Sequence, residues 1–136
     1  MANDLSAGKF FSIALIICCC PFSPLIAKWT HITDGYLGSV YLDFKTLSKK
    51  NNITTVWQLQ NFTQKDIQGV QSRRLLVEFN CKDNIRRVIY LSAHSEQMAE
   101  GNVKFINGKT SNWEHPLPKS LGAKVFAAVC FEKKTF

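Results

Sequence analysis

An α+β domain, built as an antiparallel sheet of five or six strands with one C-terminal helix packed on a face, is the fold this sequence predicts. Three observations predict it. Stretches of alternating apolar and polar residues recur between Lys28 and Ile106. Turn-forming residues separate those stretches. A helical spacing of apolar residues occurs near the end of the chain, and a run of strands followed by a helix is the α+β order.

The elements follow in sequence. "KWTHI" (28–32) is a short first strand, and "TDGYLGS" (33–39) is a turn carrying Asp34-Gly35 and Gly38. "SVYLDF" (39–44) places Val40, Leu42 and Phe44 on one face and Tyr41 and Asp43 on the other. "KTLSKKNN" (45–52) is expected to be a polar connection. In "ITTVWQLQNF" (53–62), Ile53, Thr55, Trp57 and Leu59 share a face. Thr54, Gln58 and Gln60 lie opposite, with Val56 as the exception. A polar loop (63–71) leads to "SRRLLVEFNC" (72–81). There Arg73, Leu75, Val77, Phe79 and Cys81 form one face, and Arg74, Leu76, Glu78 and Asn80 the other. "KDN" turns the chain, and "IRRVIYLSAHS" (85–95) returns as its hairpin partner.

A loop (96–102) precedes the brief strand "VKFI" (103–106). Residues 107–119 are irregular, because Asn107-Gly108 turns and Pro116 and Pro118 enforce extended backbone. Ser120 is a natural N-cap for the helix. Leu121, Val125 and Val129 run along it at i, i+4 spacing, with Phe126 and Cys130 beside them.

Before the strands, an apolar run from Phe10 to Cys20 follows Lys9 and is interrupted by Ser12. It is too short to span a bilayer and has the proportions of a secretory signal. Pro21 and Pro24 break it, and Ala27 is a cleavage position, so residues 1–27 read as a removed signal peptide and 28–136 as a single domain. An uncleaved anchor and a lipidated cysteine among Cys18, Cys19 and Cys20 are the alternatives. Cleavage removes Lys9 and Asp4 together, so the net charge of +7 is unchanged. Export places the protein in the periplasm, on the outer-membrane surface or outside the cell. A strong positive balance favours acidic partners.

Of five cysteines, cleavage leaves Cys81 and Cys130. Two cysteines in an exported chain read most simply as a disulfide, with two unrelated buried thiols as the alternative. His94 and His115 have no paired spacing with a cysteine, and no C-x-x-C occurs, so neither a metal nor a redox centre is expected. His31, His94 and His115 are scattered, and no nucleophile-elbow, metalloprotease or phosphate-loop motif occurs. The expectation is therefore a protein with no enzymatic activity, no catalytic residue and no cofactor.

Basic residues come in pairs: Lys49-Lys50, Arg73-Arg74, Arg86-Arg87 and Lys133-Lys134. Adjacent strand residues point to opposite faces, so each pair supplies one charge to a given patch. Arg73, Arg74, Lys82, Arg86 and Arg87 are the candidate partner-binding residues, and a suitable hairpin register would bring Arg74 beside Arg86. Ordinary solubilising charge with protection of a strand edge is the competing reading. Trp29, Trp57 and Trp113 read as core or sheet-covering residues rather than ligand platforms.

An ordered set of short motifs carries a family resemblance. Trp29 is followed by "VYLD" (40–43), "VWQL" (56–59) and "EFNC" (78–81), the last leading into the basic hairpin. Then come "W-x-x-P-x-P-x-S-x-G" (113–122) and "AVC" (128–130). Over nearly the whole of 28–136 the chain resembles the surface-adhesin protein E-like family of small exported bacterial proteins. The resemblance implies about six antiparallel strands and a terminal helix tied across the sheet by a Cys81–Cys130 disulfide. It implies adhesion to host extracellular proteins rather than catalysis. The loop "NFTQKDIQGVQS" (61–72) and the tail after Cys130 depart from the family pattern.

The function expected is an exported binding protein that attaches to host matrix or serum proteins through a basic face. The alternative is a periplasmic envelope-accessory protein. In either case the partner is a protein with an acidic surface, not nucleic acid, and an exposed strand edge would make a homodimer easy to form.

Overall fold

The computed structural model describes residues 27–131. Residues 1–26 of the expected signal peptide, with Cys18, Cys19 and Cys20, and the pair Lys133-Lys134 lie outside the described residues. Six strands form one antiparallel meander in chain order: β1 (Thr30–Gly35), β2 (Gly38–Lys50), β3 (Ile53–Phe62), β4 (Ser72–Asn80), β5 (Ile85–His94) and β6 (Val103–Asn107). A single α-helix, α1 (Leu121–Cys130), follows. None of the helices among the described residues is long and apolar enough to cross a membrane.

Helix α1 begins as expected, with the Ser120 hydroxyl accepting from the Ala123 N–H at 3.1 Å. It buries Val125, Phe126, Ala128 and Val129 against Val40, Leu42, Val56, Leu75, Val77 and Phe79 of the sheet. The Phe79 and Phe126 rings meet at 5.8 Å. At the N-terminal end Leu121 packs onto β1, where a side chain at Gly35 would come within 2.7 Å of its Cδ1. At the other end Cys81 and Cys130 form a disulfide with their Cα atoms 5.5 Å apart. The helix is thus held at both ends on one face of the sheet.

Three expectations need correction. The first strand starts later, at Thr30, and runs through the stretch read as a turn, so only Tyr36 and Leu37 connect β1 to β2. Gly38 permits this: its φ is +154°, and a Cβ would collide with the Asn61 carbonyl.

Second, residues 45–50 are strand, not connection. The ladder jumps from Asp43↔Trp57 to Ser48↔Thr55, a bulge that takes up extra residues. Asp43 Oδ1 accepts the Lys45 N–H at 3.1 Å, and Thr46 Oγ1 donates to the Asp43 carbonyl at 2.6 Å. Thr46 Oγ1 also accepts the Trp57 N–H at 3.1 Å, which replaces a missing ladder bond. Polar residues therefore extend β2 by supplying its bonds from side chains.

Third, the helix covers the Thr54/Val56/Gln58 face of β3, not the Ile53/Trp57 face. Val56, the exception to the alternation, is fully buried beneath the helix, while Leu59 of the other face is fully buried as well. Trp57 stays half-buried on the face away from the helix.

Candidate binding surface

The face of the sheet opposite the helix has an unusual composition for a solvent-facing surface. Trp57, Leu76 and Tyr90 are cross-strand neighbours on β3, β4 and β5. The Trp57 and Tyr90 rings meet edge to face at 5.7 Å and 80° across the intervening Leu76. The Arg74 guanidinium lies 3.9 Å from the centre of the Trp57 ring. Arg87, further along, lies 4.4 Å over Trp113 and donates to Glu78 at 2.6 Å. All of these side chains are half-buried. Their guanidinium planes are held on aromatic faces rather than waving in solvent, so little rotamer entropy remains to be lost on contact with a partner.

Trp113 reaches this surface because residues 111–114 run beside β5. The Ser111 N–H donates to the Val88 carbonyl at 2.8 Å, and Glu114 exchanges two backbone bonds of 2.9 Å with Arg86. The proline-rich segment is thus an irregular partial strand that delivers one tryptophan to the open face.

The candidate basic residues do not converge. Arg74 and Arg87 share the open face. Arg73 points to the helix side, 5.3 Å over Phe62 and 3.8 Å from Asp66. Arg86 is also on that side and pairs with Glu114 at 3.0 Å. Lys82 is exposed in the β4–β5 turn. The β4–β5 register sets Arg74 opposite Ser92 and Arg86 opposite Phe79, so the expected Arg74–Arg86 juxtaposition does not occur. Among the described residues Arg74 has no carboxylate within ion-pair distance, while Arg73, Arg86 and Arg87 each have one. Each arginine pair does split between faces, as strand geometry requires. The aromatic members of the open face were not assigned a site role from sequence. Alternation alone puts Arg74 and Leu76 on one face of β4, and the β3–β4 register adds Trp57 to them.

His94 lies at the end of this face, buried, with Nε2 2.9 Å from the Ser92 hydroxyl and Nδ1 without a partner. Burial, and then the neighbouring Arg74 charge, hold its pKa below the ordinary value of 6.5. The folded state disfavours the imidazolium, so the unfolded chain binds the proton more readily. The His94 contribution to stability is complete above the unfolded value and is lost as pH falls below it. Urea unfolding between about pH 7 and pH 5 should show stability declining with acidification, and His94→Gln should flatten that decline. Parallel profiles for the two proteins would refute the assignment. Asp34, whose carboxylate is held below its usual pKa by the Ser39 hydroxyl and then by His31, acts only at lower pH. Among the described residues no group of three His, Cys, Asp or Glu side chains is arranged to hold a metal ion.

Known structures share this arrangement of sheet and helix. Haemophilus influenzae protein E superposes with a TM-score of 0.59 at 14% identity, over 74% of this chain and 83% of that one. Protein E from non-typeable Haemophilus influenzae gives 0.56 at 12% identity, over 82% and 80%. Crystal form II of Haemophilus influenzae protein E gives 0.52 at 13%, over 67% and 79%. At such identities the likeness is one of fold. No curated protein matches the sequence. The sequence model for surface-adhesin protein E, however, matches residues 29–131, which span the whole sheet, the disulfide and the helix. The chain therefore belongs to the surface-adhesin protein E family.

Proposed function

We propose that this protein is exported to the bacterial surface and binds acidic patches on host extracellular-matrix or serum proteins through the open face of its sheet. The observation that carries the reading is the stacked pair Arg74–Trp57, extended by Tyr90 and by Arg87 on Trp113. Tryptophan, tyrosine and arginine are the residues that most often dominate binding energy at protein interfaces. A desolvated guanidinium on an indole contributes about 2 kcal/mol, and pre-positioning lowers the entropic cost of docking. The net charge of +7 adds long-range attraction to acidic partners. Family membership supports adhesion as the general role.

Binding to a panel of immobilised matrix and serum proteins should be saturable and should weaken as salt rises. Arg74→Glu is expected to weaken it at least tenfold, because the substitution removes a central cation and places a like charge before an acidic partner. A substitution of Lys82, at the exposed turn, should change binding much less. Undiminished binding by Arg74→Glu would remove the open face from consideration. Protease treatment of intact cells tests the location. Digestion of the protein supports surface exposure, and protection supports the periplasmic accessory role.

A further inference from the structure

A cavity of about 180 Å³ lies on the helix side, between β2, β3, β5 and the first turns of α1. Its apolar wall is made by Val40, Phe62, Leu121 and Val125. Gln58 of β3 also lines it, is only 2% exposed, and has no hydrogen-bond partner at Oε1. A buried acceptor left unpaired costs free energy, which a ligand that donates to it recovers.

Arg86 supplies the opposite polarity. It lines the same cavity, and its Nε is buried without a partner while its terminal nitrogen is held by Glu114 at 3.0 Å. Its guanidinium carbon lies only 3.5 Å from where a Cβ on Gly122 would stand, so the absence of a side chain there lets the cation rest against the helix. The first N–H groups of a helix have no intrahelical acceptor, and Ser120 Oγ takes only that of Ala123. Cation and helix terminus together favour an anion. No aspartate or glutamate lines the cavity.

We propose that this cavity binds a carboxylate bearing an adjacent amide N–H and a compact apolar side chain. That is the chemistry of an N-acylated apolar amino acid or of the carboxy-terminal residue of a peptide. The carboxylate faces Arg86 and the first turn of α1, the amide N–H donates to Gln58 Oε1, and the side chain packs on Leu121 and Val125. A free amino acid fits less well, because its ammonium would have no counter-charge. The volume of about 180 Å³ holds several waters and suits one residue. The site is separate from the open sheet face, so it stands or falls independently of the adhesion reading.

Calorimetric titration of the exported protein with N-acetyl-leucine, N-acetyl-leucinamide, leucine and a hexapeptide ending in leucine tests this. N-acetyl-leucine should bind saturably, and the carboxamide and the free amino acid at least tenfold more weakly. Gln58→Leu should weaken N-acetyl-leucine at least tenfold without lowering the melting temperature of the free protein, since it replaces an unpaired buried amide by an apolar group. Arg86→Lys, which keeps a cation for Glu114, should also weaken it. Equal binding of the hexapeptide identifies the terminus of a partner chain as the source. Binding of N-acetyl-leucine alone identifies a free small molecule. The absence of saturable binding, equal affinity for the carboxamide, or undiminished binding by Gln58→Leu overturns the proposal.

Discussion

Replacing Cys81 and Cys130 together by alanine is expected to lower the unfolding free energy by about 4 kcal/mol. The bond links residues 49 apart, and the cost reflects the loop-closure entropy that the cross-link removes from the unfolded chain. For a domain of this size each kcal/mol shifts the melting temperature by roughly 4–8 °C, so a fall of about 15–30 °C is expected by calorimetry. The helix should remain docked at low temperature, because Leu121 on Gly35 and the buried Val125, Phe126 and Val129 hold it independently. The proposed binding through the open face should persist well below the new midpoint, since the disulfide fastens the helix on the other face of the sheet. A loss of less than about 1 kcal/mol would show that the bond restrains little beyond what packing already restrains.

Phe79→Ala should be comparably damaging, at about 3–5 kcal/mol. Phe79 has no exposed surface and belongs to the core beneath the helix, with its ring 5.8 Å from that of Phe126. Truncation removes the transfer energy of the ring and leaves a cavity between a sheet and a helix that are each held by other contacts, so collapse around it is limited. Phe79→Leu, which keeps most of the volume, should cost much less. Equilibrium urea denaturation checks both, and a Phe79→Ala cost below about 1 kcal/mol would mean that the helix does not pack as described.

Much of this architecture was legible because its causes are local. In "SRRLLVEFN" the face predicted as the more apolar one, with Leu75, Val77 and Phe79, is the one the helix covers. The helix was legible from its i, i+4 line and from Ser120, and both operate within one or two turns of chain. β2 was less legible. Its polar second half forms ladder only because Asp43 and Thr46 supply side-chain bonds around a bulge, and such a rescue leaves no periodic trace.

The candidate site divides the same way. That Arg73 and Arg74 part to opposite faces, and Arg86 and Arg87 likewise, follows from the pleat alone. Which arginines meet which aromatics depends on contacts between strands. The pairing of β4 with β5 sets Arg86 opposite Phe79, five residues along β4 from Arg74, and so keeps the two arginines apart. It also brings Tyr90 opposite Leu76, within reach of Trp57.

By itself, then, the sequence determined the order of the strands, the terminal helix with its cap, and the pair of cysteines that lie within the domain. These depend on short-range periodicity, local capping and counting. The tertiary structure decided which of two chemically similar faces of β3 the helix covers, which placed Val56 inside and left Trp57 out. Period-2 alternation identifies two faces but carries no label for which is buried when both hold apolar residues. Only the docking of α1, held by Leu121 at one end and Cys130 at the other, breaks that tie. In doing so it turns the opposite face into a surface of stacked arginines and aromatic rings.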